Sequence, residues 1–214
     1  MTGRVLAIGD IHGCSDRLDL LLGRFGIDGA GDTLIFLGDY IDRGPDARGV
    51  IDRLLDLKQQ CPNLVCLRGN HESMFLNYYL RGQDEELFLY NSGRTTLDSY
   101  GLSLADARAG RGFPTDHLNF LLSLPFCHER EEYVFVHAGL RPGIPIARQS
   151  PDDMLWIRSE FYDVYWDFGK TVVFGHTPFH EPLIESNKIG IDTGAVYGGR
   201  LTCIELPSRK IYQV

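Results

Sequence analysis

The sequence of 214 residues lacks three features that would each define a class of protein: a cysteine framework, a long apolar run and an excess of positive charge. Its five cysteines are an odd number and form no CxxC pair, which argues against a disulfide framework and a zinc–thiolate site. No apolar run is long enough to cross a membrane, so we expect no membrane partner. The formal net charge of −8 provides no basic surface, and we therefore expect no nucleic-acid partner.

Two common phosphate-binding motifs are also missing. Gly169, Lys170 and Thr171 match the end of a P-loop, but Val164 occupies the position of its leading glycine. A cysteine-dependent phosphatase needs a loop between its cysteine and its arginine, whereas segment 61–68 contains a predicted strand. Neither motif can therefore supply a phosphate site here.

The chain shows no internal repeat, low-complexity tract or linker. Its length suits one α/β domain with a sizeable core, and we predict a single domain over residues 1–214. The first residues enter a predicted strand without the apolar region of a signal peptide, which predicts a cytoplasmic protein. The sequence leaves the oligomeric state open, with a monomer as one option.

Four apolar runs predict strands that each end in polar residues, and they lie at residues 5–8, 33–37, 64–67 and 133–136. The first three alternate with two predicted helices, at 15–24 and 46–60, with Ser15 as the expected N-cap of the first. This β-α-β-α-β order predicts a parallel sheet with right-handed crossovers.

The second half of the chain has a different pattern. Helices are predicted at 72–80, 84–90 and 117–124, and residues 92–111 are predicted to form a loop around a short helix. Further strands are predicted at 171–174, 188–192, 201–206 and 210–213. Because these strands cluster late in the chain, we expect a second sheet that packs on the first.

Residues with metal-binding side chains follow the first four predicted strands, in the motifs GDIHG (9–13), GDYIDRG (38–44), RGNHE (68–72) and HAGL (137–140). Open α/β sheets bind ligands at the carboxyl ends of their strands. Taken singly, each motif also fits a polar turn or a surface ion pair. Their order along the chain, each at a strand end, favours a metal site in which Asp39 is the best-placed shared ligand.

The spacing of these residues suggests how two ions could be held. Asp10 and His12 are two residues apart, so in an extended chain both point the same way and can bind one ion, with Asp39 as a third ligand. Asn70 and His71 are adjacent, so in an extended chain one can bind metal while the other faces elsewhere.

A second ion could be held by imidazoles. His137 and His176 each follow an apolar strand. A carboxylate such as that of Asp39 can bridge two cations about 3.5–4 Å apart, the spacing used for phosphoryl displacement. The oxygen and imidazole ligands, without a thiolate, favour Mn, Fe or Zn.

Charge favours a phosphate substrate. Two divalent ions carry more positive charge than the predicted carboxylates and a bridging hydroxide cancel, so a phosphate dianion would be attracted. Arg43 lies inside the GDYIDRG motif and Arg158 lies in LWIR (155–158). Both residues suit bidentate recognition of phosphate.

The motifs together resemble the phosphoprotein phosphatases (PPP-type serine/threonine phosphatases), a family of metallophosphoesterases, with the bacterial and phage type most similar. The resemblance covers nearly the whole chain and includes LWIRSEF (155–161) and IDTGAVYGG (191–199). It implies the α/β calcineurin-like metallophosphoesterase fold, in which two packed mixed β-sheets are flanked by α-helices and a two-metal centre lies on one rim.

The resemblance also implies roles for individual residues. The first ion would be held by Asp10, His12 and Asp39, and the second by Asp39, Asn70, His137 and His176. His71 would be the general acid, oriented by Asp42. Phosphate would be bound by Arg43, Asn70 and Arg158, with Tyr197 as an aromatic substrate-binding residue near the site. Three other histidines match no metal-binding motif and are predicted to lie on the surface or in loops: His117, His128 and His180.

The function implied is hydrolysis of phosphoserine and phosphothreonine in phosphorylated proteins or peptides, by direct attack of a hydroxide shared by two divalent ions. Mn²⁺ is the favoured ion, with Fe or Zn as alternatives. A symmetrical dinucleoside tetraphosphatase (Ap4A hydrolase) is the main alternative function, but such enzymes typically have GDLVARG and GNHD, where this chain has Asp42 and Glu72. A nuclease is disfavoured by the acidic composition, and an inactive interaction module is disfavoured because no ligand is missing.

Overall fold

Two five-stranded β-sheets pack face to face in the computed structural model, which describes residues 3–29 and 31–214. The first sheet has the spatial order β10 (Lys210–Gln213), β9 (Thr202–Leu206), β1 (Val5–Ile8), β2 (Thr33–Phe36) and β3 (Leu64–Cys66). The second has the order β4 (Cys127–Arg130), β5 (Tyr133–Val136), β6 (Thr171–Phe174), β8 (Lys188–Gly190) and β7 (Leu183–Ile184). Both sheets mix parallel and antiparallel pairs.

Side chains along the strands alternate between two apolar layers. In β1, Val5 and Ala7 point between the two sheets, whereas Leu6 and Ile8 pack against helices. The second sheet follows the same rule, since Val173 points between the sheets and Val172 points outward. Both faces of each sheet are therefore covered, which explains why the strands appear as continuous apolar runs in the sequence.

Helices cover the outer faces of both sheets. The first sheet is covered by α1 (Ser15–Leu22), α2 (Ala47–Gln60), α3 (Asn70–Arg81), α4 (Glu85–Tyr90), α5 (Gly93–Ser99), α6 (Leu104–Arg108) and α7 (Thr115–Ser123). The second sheet is covered by α8 (Pro151–Trp156) and α9 (Ser159–Tyr162). Short 3₁₀ turns occur at Ile146–Arg148 and Ala195–Tyr197. Within the described ranges, no helix has the length and apolarity that crossing a bilayer requires.

The predicted β-α-β-α-β start of the chain is confirmed, because β1, β2 and β3 pair in parallel with α1 and α2 between them. The prediction that the late strands form the second sheet is wrong for two of them. Strand β9 pairs antiparallel with β1, and β10 pairs with β9, so both extend the first sheet. Strand patterning shows which faces are buried, but it does not show which strand is the neighbour.

Three local predictions also need correction. Residues 92–111 hold two helices, α5 and α6, because Leu97 and Ala107 are buried in the core and Ser103 caps α6. The N-cap of α1 is Cys14, while the Ser15 hydroxyl donates to an Asp46 carboxylate oxygen at 2.5 Å. Helix α3 begins at residue 70, two residues earlier than predicted.

Candidate metal centre

The motif residues lie at the carboxyl ends of the strands, on one edge of the sandwich, and much of their backbone has an unusual conformation. Nine non-glycine residues have positive φ in the described ranges, and five of them are predicted site residues: His12, Asp39, Asp42, Arg43 and His176, with φ between 47° and 67°. Such conformations cost energy and cluster at functional sites in proteins. The strain therefore marks this rim as the candidate site.

Asp39 lies between two imidazoles. Its Oδ2 is 3.4 Å from Nε2 of His12, and its Oδ1 is 3.4 Å from Nε2 of His137. All three side chains are buried. The two carboxylate oxygens therefore face different groups of ligand atoms, which is the arrangement that a bridging carboxylate requires.

Asn70 stands at the centre of the second group. Its side-chain oxygen is 2.9 Å from Nε2 of His137 and 3.0 Å from Nδ1 of His176. Ligand atoms of Asp39, His137 and His176 come close enough together to surround a single cation, and the Asn70 oxygen lies beside both imidazoles. The structure thus brings together all four residues predicted for the second ion.

Backbone carbonyls fix the tautomers of two imidazoles. Nδ1 of His12 donates to the Ile41 carbonyl at 2.9 Å, and Nδ1 of His137 donates to the Leu37 carbonyl at 2.9 Å. Each Nε2 therefore carries the lone pair, which is the tautomer that binds a metal through Nε2. Burial lowers the pKa of His12 to about 3 and also lowers the pKa of His137, which keeps both rings neutral.

The donor set as a whole fits divalent ions. Burial opposes ionisation of Asp39, but the surrounding imidazoles, His137 foremost, hold the pKa of its carboxyl well below its usual range. Nε2 of His71 and Nε2 of His176 are buried without a hydrogen-bond partner among the described residues. An ionised carboxylate, an amide oxygen and neutral imidazoles are ligands that divalent transition ions accept.

Asp10 reaches the same rim in a different way from that predicted. Its carboxylate accepts the backbone N–H of His176 at 3.0 and 3.2 Å. The extended geometry expected over residues 10–12 is wrong, because His12 has φ 47° and the strand has already ended. Burial, followed by the charges of Asp192 and Asp39, raises the pKa of Asp10 well above its usual value.

Asp192 is a further acid at this rim to which the sequence analysis gave no role. It is buried, and burial, with the charge of Asp39, raises its pKa to about 6. Its Oδ1 accepts the N–H of Gly194 at 2.9 Å. The sequence does contain a pattern that indicates this site, because Asp192 comes just after a strand, as Asp39 does.

His71 and Asp42 form a fully buried pair. Nδ1 of His71 lies 2.7 Å from Oδ2 of Asp42, and both side chains have no exposed surface. Burial opposes protonation, but the carboxylates of Asp39 and Asp42 raise the pKa of His71 overall. The extended geometry predicted for Asn70 and His71 is wrong, since both lie in the first turn of α3. They nonetheless make different contacts, because adjacent helical residues point about 100° apart.

Metal-binding atoms also lie around the second ring nitrogen of His71. Its Nε2 is 3.9 Å from Oδ2 of Asp39, and together with His12 these groups could also surround an ion. A carboxylate bound to the other ring nitrogen is compatible with a metal ligand as well as with a proton donor.

Glu72 is a second residue whose importance the sequence analysis missed. Its carboxylate accepts the backbone N–H groups of Gly69 at 2.8 Å, Asp39 at 2.9 Å and Tyr40 at 2.8 Å. It therefore ties the GDYIDRG loop to the start of α3. Burial and the nearby Asp39 raise its pKa to about 7, against the N–H donors. The sequence feature that indicates this role is the glutamate at the N3 position of α3, three residues after the N-cap glycine.

The two predicted phosphate-binding arginines reach the centre from separate elements. Nη1 of Arg43 lies 2.5 Å from Nε2 of His12, and its guanidinium lies 5.4 Å from the centroid of the Tyr197 ring. Arg158, at the start of α9, donates to the Thr177 hydroxyl at 3.3 Å. Burial lowers the pKa of His176 well below its usual value, and the charge of Arg158 contributes. Tyr197 is 63% exposed, so its ring is open to a substrate.

The three histidines without a motif lie outside this centre. His180 is exposed, as predicted. The prediction is wrong for His117, which is buried in α7 with Nδ1 2.8 Å from the Tyr100 hydroxyl. His128 is half-buried in strand β4 rather than in a loop.

Known proteins resemble this chain in sequence and in fold. The sequence profile described as calcineurin-like phosphoesterase matches residues 3–203. A serine/threonine-protein phosphatase 1 of Salmonella typhimurium is 32% identical over 92% of this chain and 89% of its own length. A bis(5'-nucleosyl)-tetraphosphatase (asymmetrical) of Anoxybacillus flavithermus is 28% identical over 97% of this chain and 92% of its own length.

A solved structure of a candidate diadenosine tetraphosphatase superposes with a TM-score of 0.79 at 28% identity, covering 100% of this chain and 94% of that one. The profile match extends over most of the chain, and the structural match includes both sheets and the helices that flank them. The chain therefore belongs to the calcineurin-like phosphoesterase family and has the fold of these metal-dependent hydrolases of phosphoesters.

Proposed function

We propose that the protein is a phosphomonoesterase that removes phosphate from phosphoserine and phosphothreonine in proteins or peptides. The observation that carries this proposal is the buried pair of His71 and Asp42, with Nε2 of His71 unpartnered among the described residues. A seryl or threonyl oxygen is a strongly basic leaving group and needs a proton donor. The pair offers such a donor beside Asp39.

Two divalent ions, with Mn²⁺ favoured, would complete the site. The first would be held by Asp10, His12 and Asp39, and the second by Asp39, Asn70, His137 and His176. When bound, such ions lower the pKa of a coordinated water and offset charge on a phosphoryl group.

The remaining roles belong to side chains of the chain itself. Arg43 and Arg158 bind phosphate oxygens, and the Asn70 amide faces the same group. His71 donates the proton on Nε2 to the departing oxygen, and Asp42 holds the ring through Nδ1. Tyr197 offers an exposed aromatic face to the part of the substrate beyond the phosphate.

A second candidate function is hydrolysis of dinucleoside tetraphosphates, and the matches to tetraphosphatases favour it. The curated relative is of the asymmetrical kind, not the symmetrical kind considered from the sequence. We give it second place because Asp42 is present and engaged with His71, as proton donation to an alkoxide requires. Location in the cytoplasm, protein substrates as partners and the absence of a nucleic-acid partner stay predictions.

One comparison of substrates tests the proposal. Purified protein with added Mn²⁺ is given phosphoserine peptides in one series and diadenosine tetraphosphate in another, and kcat/KM is measured for phosphate release and for nucleotide products. The proposal expects the larger kcat/KM with the peptides. Efficient cleavage of diadenosine tetraphosphate without phosphate release from peptides would overturn it in favour of the second candidate.

A further inference from the structure

Thr96, a buried residue of the outer helical layer, forms hydrogen bonds with Asp42, the partner of His71. Thr96 lies in α5, has no exposed surface and is 54 positions from Asp42 in the sequence. Its hydroxyl accepts the backbone N–H of Asp42 at 2.8 Å and donates to Oδ1 of Asp42 at 2.5 Å. One side chain thus binds both the backbone and the carboxylate of the same residue.

These two bonds determine how Asp42 meets His71. With Oδ1 engaged by Thr96, Oδ2 is the oxygen that receives Nδ1 of His71 at 2.7 Å. The carboxylate can rotate only by breaking a bond to one of its two partners. Because all three side chains are buried, a lost partner is not replaced by water, and such networks are rigid when fully satisfied.

The bond to the Asp42 N–H also supports an unfavourable turn. Asp42 and Arg43 have φ of 66° and 67°, a left-handed conformation that costs roughly 1–2 kcal/mol per residue for L-amino acids. Such a conformation persists where surrounding contacts determine it. Thr96 provides one of these contacts, so it also helps to set the backbone turn from which the Arg43 side chain projects.

Helix α5 is independently anchored, which makes it a firm support. The Ser99 hydroxyl accepts the N–H of Arg48 in α2 at 2.9 Å. The Tyr100 hydroxyl meets Nδ1 of His117 at 2.8 Å, and Nε2 of His117 lies 3.0 Å from a carboxylate oxygen of Asp52 in α2. Thr96 and Ser99 lie on one face of α5, and Tyr100, the C-cap residue, continues the i, i+3, i+4 spacing.

We propose that Thr96 is a positioning residue for proton donation: by fixing Asp42, it aligns His71 so that Nε2 points at the leaving oxygen. The proposal rests on the proposed function, because it concerns the departure of a basic oxygen. The competing explanation is that Thr96 only satisfies buried polar groups and stabilises the fold. The two explanations differ in whether the loss of activity on replacing Thr96 depends on the leaving group of the substrate.

The test compares three variants in the Mn²⁺-loaded protein. Thr96→Val removes the hydroxyl and Thr96→Ser keeps it. Thr95→Val makes the same change at the neighbouring position, where the hydroxyl donates to the Ser92 carbonyl at 2.9 Å, and serves as the matched control. Each is assayed with a phosphoserine peptide and with p-nitrophenyl phosphate, whose leaving group needs little protonation. Thr96→Ala is measured in parallel as a smaller replacement, in case valine prevents folding.

We expect Thr96→Val to lose about tenfold or more in kcat with the peptide and clearly less with the aryl phosphate. The upper bound on the loss is the roughly 10²–10⁴-fold that general acid catalysis contributes in full. Thr96→Ser should restore the peptide rate, and Thr95→Val should show equal, small effects on both substrates. Equal losses on both substrates in Thr96→Val, or failure of serine to rescue, would overturn the proposal.

A second measurement separates this proposal from the proposed function. In Zn²⁺-loaded protein, NMR follows the Nδ1 proton of His71, which the bond to Asp42 should shift downfield and protect from exchange with water. Thr96→Val should lose that signal and Thr96→Ser should keep it. An unchanged signal in Thr96→Val would contradict positioning by Thr96. A wild-type protein that releases no phosphate from the peptide would instead refute the proposed function, with the NMR result still valid.

Discussion

Oε2 of Glu72 accepts the backbone N–H of Asp39 at 2.9 Å, across 33 positions of sequence. The same carboxylate accepts the N–H groups of Tyr40 and Gly69, so it joins the loop after β2 to the start of α3. Asp39, which faces two groups of ligand atoms, is thus held in place through its backbone by the buried carboxylate of Glu72.

Glu72→Gln should test this support. The amide keeps the size of the side chain but turns an NH₂ donor toward backbone donors, so at least one N–H loses its acceptor. We expect the free energy of unfolding to fall by about 1–3 kcal/mol, and metal affinity to fall with it. Urea denaturation and metal analysis measure the two effects. Wild-type values for both would show that Glu72 does not support the loop.

Removal of metal should abolish activity. The donor set has no thiolate and consists of carboxylate, amide and imidazole groups, so a chelator should strip the site and added Mn²⁺ should restore it. The loaded protein should also melt at a higher temperature, because a ligand that binds the folded state stabilises it. Full activity in protein shown by elemental analysis to be metal-free would refute a metal-dependent site.

Asp39 should affect both ions and Asp10 mainly one. Asp39 faces His12 with one oxygen and His137 with the other, whereas the Asp10 carboxylate lies against the backbone of His176. We expect Asp39→Asn to lower the metal content at both sites and Asp10→Asn to lower it chiefly at one. Elemental analysis after dialysis gives the stoichiometry. Two retained ions in Asp39→Asn would contradict a bridging role.

Arg43→Ala and Arg158→Ala should weaken phosphate binding and leave metal content unchanged. Each removes a charge-assisted contact worth about 1–3 kcal/mol, seen as a fall in kcat/KM and weaker inhibition by inorganic phosphate. Arg53→Ala is a matched control, since Arg53 pairs with Asp19 on the surface at 2.9 Å. An arginine whose variant behaves like Arg53→Ala has no role in phosphate binding.

His71→Asn should distinguish a proton donor from a metal ligand. As a donor, His71 matters most for a basic alkoxide, so the loss with phosphoserine should approach about 10²–10⁴-fold and the loss with an aryl phosphate should be smaller. Asp42→Asn should show the same bias more weakly. Metal analysis accompanies the kinetics, because loss of an ion together with equal losses on both substrates would assign His71 to the metal instead.

The sequence by itself determined the parts of this protein that depend on neighbours along the chain. Apolar runs followed by polar residues located β1, β2 and β3 and the loops after them, and parallel pairing then brought Asp39 and Asn70 to one edge. The rule works because strand length and burial are local properties, and because parallel strands present the same end to the same side. The same rule would also have found Asp192.

Tertiary structure alone decided what depends on contacts between distant residues. The pairing of β9 with β1, the burial of His117 against Tyr100 and the bond from Thr96 to Asp42 each join segments that no local pattern relates. A threonine in a polar stretch looks the same whether it faces water or a buried carboxylate. Its partner is fixed only when α5 packs against the core, because a side chain in a close-packed interior bonds to whatever the fold brings within about 3 Å.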